Sequence, residues 1–212
     1  IHPTVVPSSA SWMAMCVMAV VGDIDLAQVK LWVSDYFGSI PNLGKPAAVD
    51  TSEPSPSGEK RVRLTDAHAN LPALGIAWKG MPERNTPDFY ALSLLGQILF
   101  SGKSSRLFQD LVKTSQAAVG VEGGLGFPIS DLSEYKAPGA FGGFVVYKTG
   151  FSADQIKSLI YKPIRDIAAK GVSDRDLARV KTKFRSDWLL SQQTALGKAQ
   201  KLLVAALLDG SP

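Results

Sequence analysis

The pattern of apolar and polar residues along the chain predicts strands that alternate with helices. The first predicted strand, Met13 to Val21, is almost continuously apolar. A helix is predicted next, from about Asp25 to Phe37, because apolar residues recur there at helical spacing and Gly38 follows as a stop signal. The side of this helix that is predicted to be buried comprises Leu26, Val29, Trp32, Val33, Tyr36 and Phe37.

The clearest pattern lies in the central part of the chain. Leu71 to Trp78 is a nearly continuous apolar run, predicted to be a strand because Pro72 and Gly75 disfavour a helix interior. A helix should then start at Thr86, a favourable N-cap residue, with Pro87 at the first helical position. Its predicted buried stripe comprises Tyr90, Leu94, Leu95, Ile98 and Leu99.

A second central helix is predicted after the hinge Ser101-Gly102-Lys103-Ser104, in which Gly102 ends the preceding helix. Ser104 or Ser105 is the expected cap of this second helix. Its predicted buried face comprises Leu107, Phe108, Leu111 and Val112. No residue pair in this central stretch is typical of catalysis, so it is interpreted as a scaffold.

Three more segments have the pattern of strands. Lys60 to Leu64 alternates polar and apolar residues, which is typical of a half-exposed strand. Ala117 to Phe127 and Ala140 to Tyr147 are predicted as two further strands, joined by a polar loop from Pro128 to Gly139. Glycines inside both of these strands indicate bulges or close backbone approach.

Two helices are predicted to follow the last strand. Ser152 and Gln155 form a capping box for a helix that runs through Lys170. The last helix is predicted to begin after Ser173 and to reach as far as Leu208. Gly197 is its expected weak point.

The predicted order is therefore β-α-β-β-α-α-β-β-α-α. Consecutive strands joined by short turns imply a mostly antiparallel sheet, with the helices packed on one face of it. The predicted fold class is α+β, in two layers. Ser39 to Ser57 is rich in Pro, Ser and Ala, and it is interpreted as a surface connection because the part before it holds too little apolar surface to fold alone. We thus predict a single domain over residues 1–212, a fragment of a longer protein.

Composition narrows the possible functions only slightly. The 23 basic and 19 acidic residues give a net charge of +4 and are interspersed, which argues against a nucleic-acid-binding surface. No apolar stretch reaches the roughly 18 to 20 residues that cross a bilayer. The single cysteine, Cys16, excludes an internal disulfide and is predicted to be a buried small apolar residue.

No group of residues has the spacing of a catalytic or metal site. The string from Gly96 to Ser104 resembles a phosphate-binding P-loop, but five residues separate Gly96 from Gly102, one more than the motif allows, and a helix precedes it where a strand is required. A zinc site uses about three or four close ligands, and His2 and His68 are the only histidines.

The remaining candidate residues also lack the pattern of a catalytic site. His68 is interpreted as a turn residue beside Asp66, and neither a Cys-His nor a Ser-His-Asp arrangement is supported. Glu122 and Glu134 are the candidates for an acid/base pair, although such carboxylates are usually just solvated. The sequence therefore predicts no catalytic and no metal-binding residue in this chain, and it identifies no substrate-binding residue.

Several strings, in this order and spacing, resemble the insulinase or pitrilysin-like zinc metallopeptidases, which include the mitochondrial processing peptidases. They are VVGDID from Val20, followed by a helix ending in YFGSIP; NLPAL from Asn70; LLGQIL from Leu94; and GKSSRLF from Gly102. The resemblance implies an α+β domain that is used in pairs, in which one half carries an inverted zinc motif, His-x-x-Glu-His, and the other closes over the peptide. This chain contains no such motif and resembles the zinc-free, inactive second domain.

The resemblance also implies a partner domain, and this chain departs from the family pattern at two positions. Supporting domains in the family often carry an Arg and a Tyr that stabilise the peptide carbonyl, and the matching positions here are Val112 and Val119. We expect a non-catalytic partner domain that encloses a peptide substrate together with a zinc-bearing domain, in the same polypeptide or on a second subunit. A structural or assembly subunit derived from a peptidase is the alternative, and a periplasmic or secreted bacterial location is a family-level expectation. No cofactor is expected in this chain.

Overall fold

The computed structural model describes residues 17–41, 50, 54, 57–128 and 139–210. The chain divides into two compact units. The larger unit is Thr51–Ser186, and the smaller one combines Ile1–Asp50 with Asp187–Pro212.

The larger unit is built on a three-stranded antiparallel sheet. Its strands are β1 (Ala73–Lys79), β2 (Ala118–Leu125) and β3 (Ala140–Tyr147), and β3 lies in the middle. A register shift between Ala118 and Gly120 in β2 is the bulge that the strand glycines led us to expect. All three strands were predicted, β3 with the observed bounds, because apolar runs of this length between turn residues are typical of strands.

Six helices lie within the described residues. They are α1 (Leu26–Phe37), α2 (Pro87–Phe100), α3 (Phe108–Thr114, with π-helical geometry), α4 (Ala153–Lys170), α5 (Asp174–Ser191) and α6 (Ala195–Val204), and α6 continues as a π-helical turn, Ala205–Asp209. The predicted caps are confirmed, since the Thr86 hydroxyl accepts a hydrogen bond from Phe89 N at 3.3 Å and Ser152 with Gln155 makes both bonds of a capping box. Local side-chain chemistry thus sets where these helices begin.

The helices of the larger unit cover one face of the sheet, which confirms the predicted α+β class. Trp78 of β1 lies 5.9 Å from the ring of Phe141 and 6.0 Å, edge-on, from Tyr161 of α4. Phe100, at the end of α2, also meets Phe141 edge-on at 5.9 Å. The side chains buried between the two layers include Phe89, Leu99, Leu107, Leu111, Val121, Val145, Ile156 and Ile160.

The predicted stripe of α2 is only partly correct. Ile98 and Leu99 are each 1% exposed, whereas Tyr90 is 54% exposed and Phe89 is buried instead. The Tyr90 hydroxyl donates to Asn85 Oδ1 at 3.0 Å, so this aromatic residue satisfies its polar group at the surface. On α3, Leu107 and Leu111 are buried as predicted.

The predicted strand from Lys60 to Leu64 is wrong. This segment has no regular secondary structure, and Leu64 is 88% exposed. Just before it, the Glu59 carboxylate accepts hydrogen bonds from Lys157 Nζ of α4 at 2.7 Å and from Arg61 Nε at 2.6 Å. These two bonds, that from Lys157 first, lower the pKa of Glu59. The ion pairs hold the segment to α4, and a half-exposed strand cannot form without a neighbouring strand to pair with.

Two predictions for the smaller unit are also wrong in the part that is described. Residues 17–21, the end of the strand predicted from Met13 to Val21, have no regular secondary structure, and the rest of that segment lies outside the described residues. Helix α1 begins after Asp25, close to the predicted start, but none of its residues is buried. Periodicity predicted a buried side for α1, but only Val29 and Val33 of that side are half-buried, and its other residues are exposed.

The predicted last helix is interrupted. It stops at Ser191, and a new helix starts after Thr194, whose hydroxyl accepts a hydrogen bond from Gly197 N at 3.0 Å. The break thus precedes the expected weak point at Gly197, because a threonine at this position can cap a new helix. Gly171 ends α4 as predicted, with a positive φ of 76°.

Removing the cap of α4 should destabilise the larger unit. In Ser152→Ala the backbone N–H of Gln155 loses the hydroxyl that it now reaches at 3.2 Å, so we expect the free energy of unfolding to fall by about 1 kcal/mol. Urea denaturation followed by circular dichroism measures this change. Ser158→Ala, at an exposed position inside the same helix, is the matched control and should be neutral or slightly stabilising. Equal losses in the two variants would contradict the capping role.

Candidate functional site: the open face of the sheet

One face of the sheet carries no helix of the larger unit within the described residues. In β1, Leu74, Ile76 and Trp78 are half-buried, and the residues between them are exposed. Antiparallel register places Gly75 beside Phe144 of β3, and Phe144 beside Glu122 of β2. Because side chains alternate between the two faces of a strand, these residues mark the face away from the helices, which we call the open face.

Small residues give the open face its low relief. Register across the three strands places on it Ala73, Gly75, Ala77, Gly120, Gly124, Ala140 and Gly142. Phe144 is the largest side chain on this face and is 42% exposed, and Val119, beside the bulge in β2, is 50% exposed. Such a surface can lie close to an extended chain, since few side chains stand above the backbone.

The charged residues on the open face are Glu122 and Lys79, one in each outer strand. Glu122 is exposed and stands next to Phe144 in the register, whereas Lys79 lies at the end of β1 and donates to the Pro54 carbonyl at 3.5 Å. A single carboxylate on an exposed strand has no partner in an acid/base pair here. Its proposed companion, Glu134, lies outside the described residues. The described residues of the open face are therefore better suited to binding another molecule than to catalysing a reaction.

The two valines at the positions where the resemblance led us to expect an Arg and a Tyr lie on different elements. Val119 lies on the open face, and Val112 is half-buried on α3, which leads into β2. Valine side chains donate no hydrogen bond, so neither can stabilise the negative charge that develops on a peptide carbonyl during hydrolysis. Val119 is therefore exposed on the open face, and neither it nor Val112 carries a group that can donate a hydrogen bond.

The other candidate residues lie in a turn or a hinge, or they lie outside the described part. His68 is exposed in a turn, and its backbone N–H donates to Asp66 Oδ1 at 2.8 Å, as the turn interpretation predicts. His2 and Cys16 lie outside the described residues. The P-loop-like string is the predicted hinge between two helices, closed by a hydrogen bond from Gln109 Nε2 to the Lys103 carbonyl at 2.6 Å.

A cluster that the sequence did not reveal joins this hinge to α5. Arg106 donates to Asp176 Oδ2 through Nη2 at 2.8 Å and through Nε at 3.2 Å. Arg179 lies 3.8 Å from the other carboxylate oxygen and donates to the Ser104 hydroxyl at 2.9 Å. Hydrogen bonding from Arg106 is the main reason why the pKa of Asp176 is lowered. The partners are far apart in the sequence, so no local pattern could indicate the cluster.

The described residues contain neither a cluster of metal ligands nor a helix that could cross a membrane. No three His, Cys, Asp or Glu side chains there lie close enough together to hold a metal ion. The expectation that this chain carries no metal and no cofactor stays a prediction. In the same residues, no helix has the length and apolar character needed to span a bilayer.

Comparison with solved structures identifies the fold. A protease from Helicobacter pylori superposes with a TM-score of 0.76 at 19% sequence identity, covering 90% of this chain and 44% of that one. A peptidase M16 inactive domain from Pseudomonas fluorescens gives 0.64 at 18% identity, covering 90% and 42%. An inactive peptidase domain assigned to a zinc protease of Bordetella parapertussis gives 0.52 at 24% identity, covering 67% and 72%. This chain thus spans less than half of the first two.

Family comparison covers most of the sequence. No curated protein matches the chain. The family model described as the peptidase M16 inactive domain matches residues 14–184, a range that includes all three strands and all of the strings quoted above. Together with the α+β fold, this match shows that the chain belongs to the peptidase M16 family, as its inactive domain.

Proposed function

We propose that this chain is the non-catalytic partner of a zinc-bearing peptidase domain, and that its open face forms one wall of the space that holds the peptide. The observation that carries the proposal is the open face itself, which is partly exposed, chiefly in β1 and at Phe144 and Val119, and which is low in relief and mostly apolar. An extended peptide can lie on such a surface without removing many charged groups from water. Membership in the inactive-domain family supports the same role.

Zinc is expected on the partner. The sequence contains no His-x-x-Glu-His, and the described residues offer no set of three ligands, so they do not fit a catalytic zinc ion. The contribution of this chain is to bind the peptide and to exclude water from it. The zinc-bearing domain is proposed to lie in the same polypeptide or on a second subunit.

A purely structural subunit is the second candidate. The two valines at positions 112 and 119 favour it, because they remove the hydrogen-bond donors that would assist hydrolysis. The two proposals differ in one respect that can be measured. A wall of the peptide space touches the substrate, whereas a structural subunit does not.

Photocrosslinking tests whether the open face touches peptide. A photoreactive phenylalanine analogue replaces Phe144, and the same analogue replaces Tyr90 as the control. Both side chains are aromatic and exposed, at 42% and 54%, but Tyr90 lies on α2 in the helical layer. With the zinc-bearing domain present, a labelled peptide substrate is expected to crosslink at position 144 at least tenfold more than at position 90.

The outcomes separate the two candidate functions. Crosslinking at position 144 that requires the zinc-bearing domain and is blocked by excess unlabelled peptide supports the proposal that the open face contacts the peptide. Equal labelling at the two positions would contradict it, and absence of labelling at both, in a complex that hydrolyses the peptide, would favour the structural subunit. The chain alone is expected to hydrolyse no peptide.

A further inference from the structure

Glu122 places a single negative charge on the open face. It lies in the middle of β2 and is exposed. Within the described residues, no hydrogen bond or ion pair holds its carboxylate. Lys79, the other charged residue of this face, lies in the far outer strand and four residues beyond Gly75, so its backbone is about 16 Å from that of Glu122. The carboxylate is therefore available to a cationic group of another molecule.

An exposed aromatic side chain lies directly beside this carboxylate. Phe144 of β3 is the register partner of Glu122, and it is 42% exposed. Side chains that are paired in this way on one face of an antiparallel sheet have Cβ atoms about 5 Å apart. On its other side the ring lies near Gly75, because a Cβ atom added to Gly75 would be 3.9 Å from Phe144 Cδ2. A carboxylate and an aromatic ring thus border the same part of the open face.

The surface next to Glu122 has room for a large side chain of a bound molecule. The neighbours of Glu122 on the same side of β2 are Gly120 and Gly124. A Cβ atom added to either glycine would meet no atom within 4 Å. Gly124 also pairs with Gly142 of β3, so no side chain separates Glu122 from the space above this pair. A long side chain can therefore lie beside Phe144 and reach the carboxylate.

Arginine is the amino acid whose side chain fits both groups. Its planar guanidinium is always charged, pairs with a carboxylate through two parallel hydrogen bonds and stacks on aromatic rings. It is also more weakly hydrated than the ammonium group of lysine, so it loses less solvation on binding. An apolar side chain would leave the carboxylate without a partner, and an acidic one would be repelled by it.

We propose that the open face selects peptides that carry an arginine, which Glu122 and Phe144 bind together. This inference rests on the proposed function, because the peptide must lie on the open face, and it adds which side chain is preferred there. The two residues determine specificity and take no part in the hydrolysis itself.

Paired peptide libraries test the selection in the complete protein, which is this chain together with the zinc-bearing domain. The probe is a quenched fluorescent library with randomised residues around one fixed position, which carries either arginine or citrulline, its uncharged analogue of nearly the same shape. The fixed position is moved along the peptide from one pair of libraries to the next. We expect kcat/KM to be about tenfold higher with arginine than with citrulline at one or more positions.

Three substitutions then locate the source of the preference. Glu122→Gln removes the charge and keeps the shape, so the ratio of arginine to citrulline should fall to about twofold or less. Phe144→Leu removes the ring, and the ratio should fall about threefold. Asp174→Asn, which removes an exposed carboxylate at the start of α5, is the matched control and should leave the ratio unchanged. Since Glu122 and Phe144 are exposed, circular dichroism of both variants should match that of the wild-type chain.

The outcomes distinguish this inference from the proposed function. A ratio that falls in both variants supports the selection. A ratio near one in the wild-type protein, or one that neither variant changes, would overturn the selection, and the proposed function would stand if position 144 still crosslinks peptide. A ratio that depends on Glu122 but not on Phe144 would overturn joint binding by the two residues. If the complete protein hydrolyses no peptide and position 144 is not labelled, both proposals fail.

Discussion

Gly123→Ala is expected to lower the free energy of unfolding by about 3 kcal/mol, because the sheet has no room for a methyl group at this position. Gly123 of β2 pairs with Gly143 of β3, and the ring of Phe100 lies against both. A Cβ atom on Gly123 would lie 2.6 Å from Phe100 Cδ1 and 2.7 Å from the Cα atom of Gly143, and it would overlap the Gly142 carbonyl oxygen. Two of these three neighbours are backbone atoms, which cannot move without disturbing the pairing of β2 with β3.

Urea denaturation measures the loss, and the same strand provides the control. A Cβ atom on Gly120 would meet no atom within 4 Å, so Gly120→Ala should change the free energy of unfolding by no more than about 0.5 kcal/mol. Phe100→Leu in the Gly123→Ala background should recover only part of the loss, since the contacts with the backbone of β3 remain. Similar losses in the two alanine variants would contradict the steric explanation.

This position shows how far sequence could predict the sheet. Glycines inside the two apolar runs indicated close backbone approach, and that prediction is confirmed at Gly123 and Gly143. Sequence alone could not identify the glycine that lies against Phe100. That depends on the register of β2 on β3, and the two strands are separated by a loop whose length does not determine register.

The helices also show that features set by residues close in the sequence could be predicted, whereas features set by distant residues could not. Thr86 and Ser152 cap helices through hydrogen bonds to residues three positions away, so sequence could predict them. The strand predicted from Lys60 to Leu64 failed because a strand needs a neighbouring strand to pair with, and none pairs with this segment within the described residues. Periodicity identifies the apolar side of a helix or strand, but it does not identify the element that packs against that side.

The candidate site was predicted in one respect and missed in another. The resemblance located the positions of Val112 and Val119, and the structure adds that Val119 lies on the open face. The two-layer prediction already implied an uncovered face, but the residues on that face were not predicted, because an alternating pattern does not show which face of a sheet the helices will leave uncovered. The short residues of the three strands were a signal that could have indicated it, since small residues on one face leave little apolar surface for a helix to bury.

Asp176→Asn is expected to lower the free energy of unfolding by about 2 kcal/mol at neutral pH, because it removes the carboxylate between two arginines. The side chains of Arg106 and Arg179 are only 26% and 29% exposed, so solvent compensates them incompletely for the lost charge. Urea denaturation of the variant measures the loss. Asp174→Asn is the control, since Asp174 is exposed in the same first turn of α5 and should contribute about 0.5 kcal/mol through the helix dipole.

The contribution of Asp176 should also depend on pH with a definite sign. The pKa of Asp176 is lowered from its ordinary value of 3.8, mainly by the hydrogen bonds from Arg106. A lowered pKa in the folded state means that the stabilisation is fully present above the ordinary value and is lost as the pH falls through the folded-state value. The difference between the wild-type chain and Asp176→Asn should therefore be constant at neutral pH and shrink on acidification below about pH 4.

Arg106→Gln tests which arginine is responsible for the stabilisation by Asp176. In that background Asp176→Asn should cost about 1 kcal/mol less than in the wild-type chain, because the two partners contribute one shared interaction. Arg106 lies two residues before the start of α3, and α3 leads into β2, so this ion pair links the start of α5 to the segment that leads into the strand of Val119. An unchanged cost in the Arg106→Gln background would mean that Asp176 acts through Arg179 and the cap of α5, and the hinge would then be held by the Arg179–Ser104 hydrogen bond.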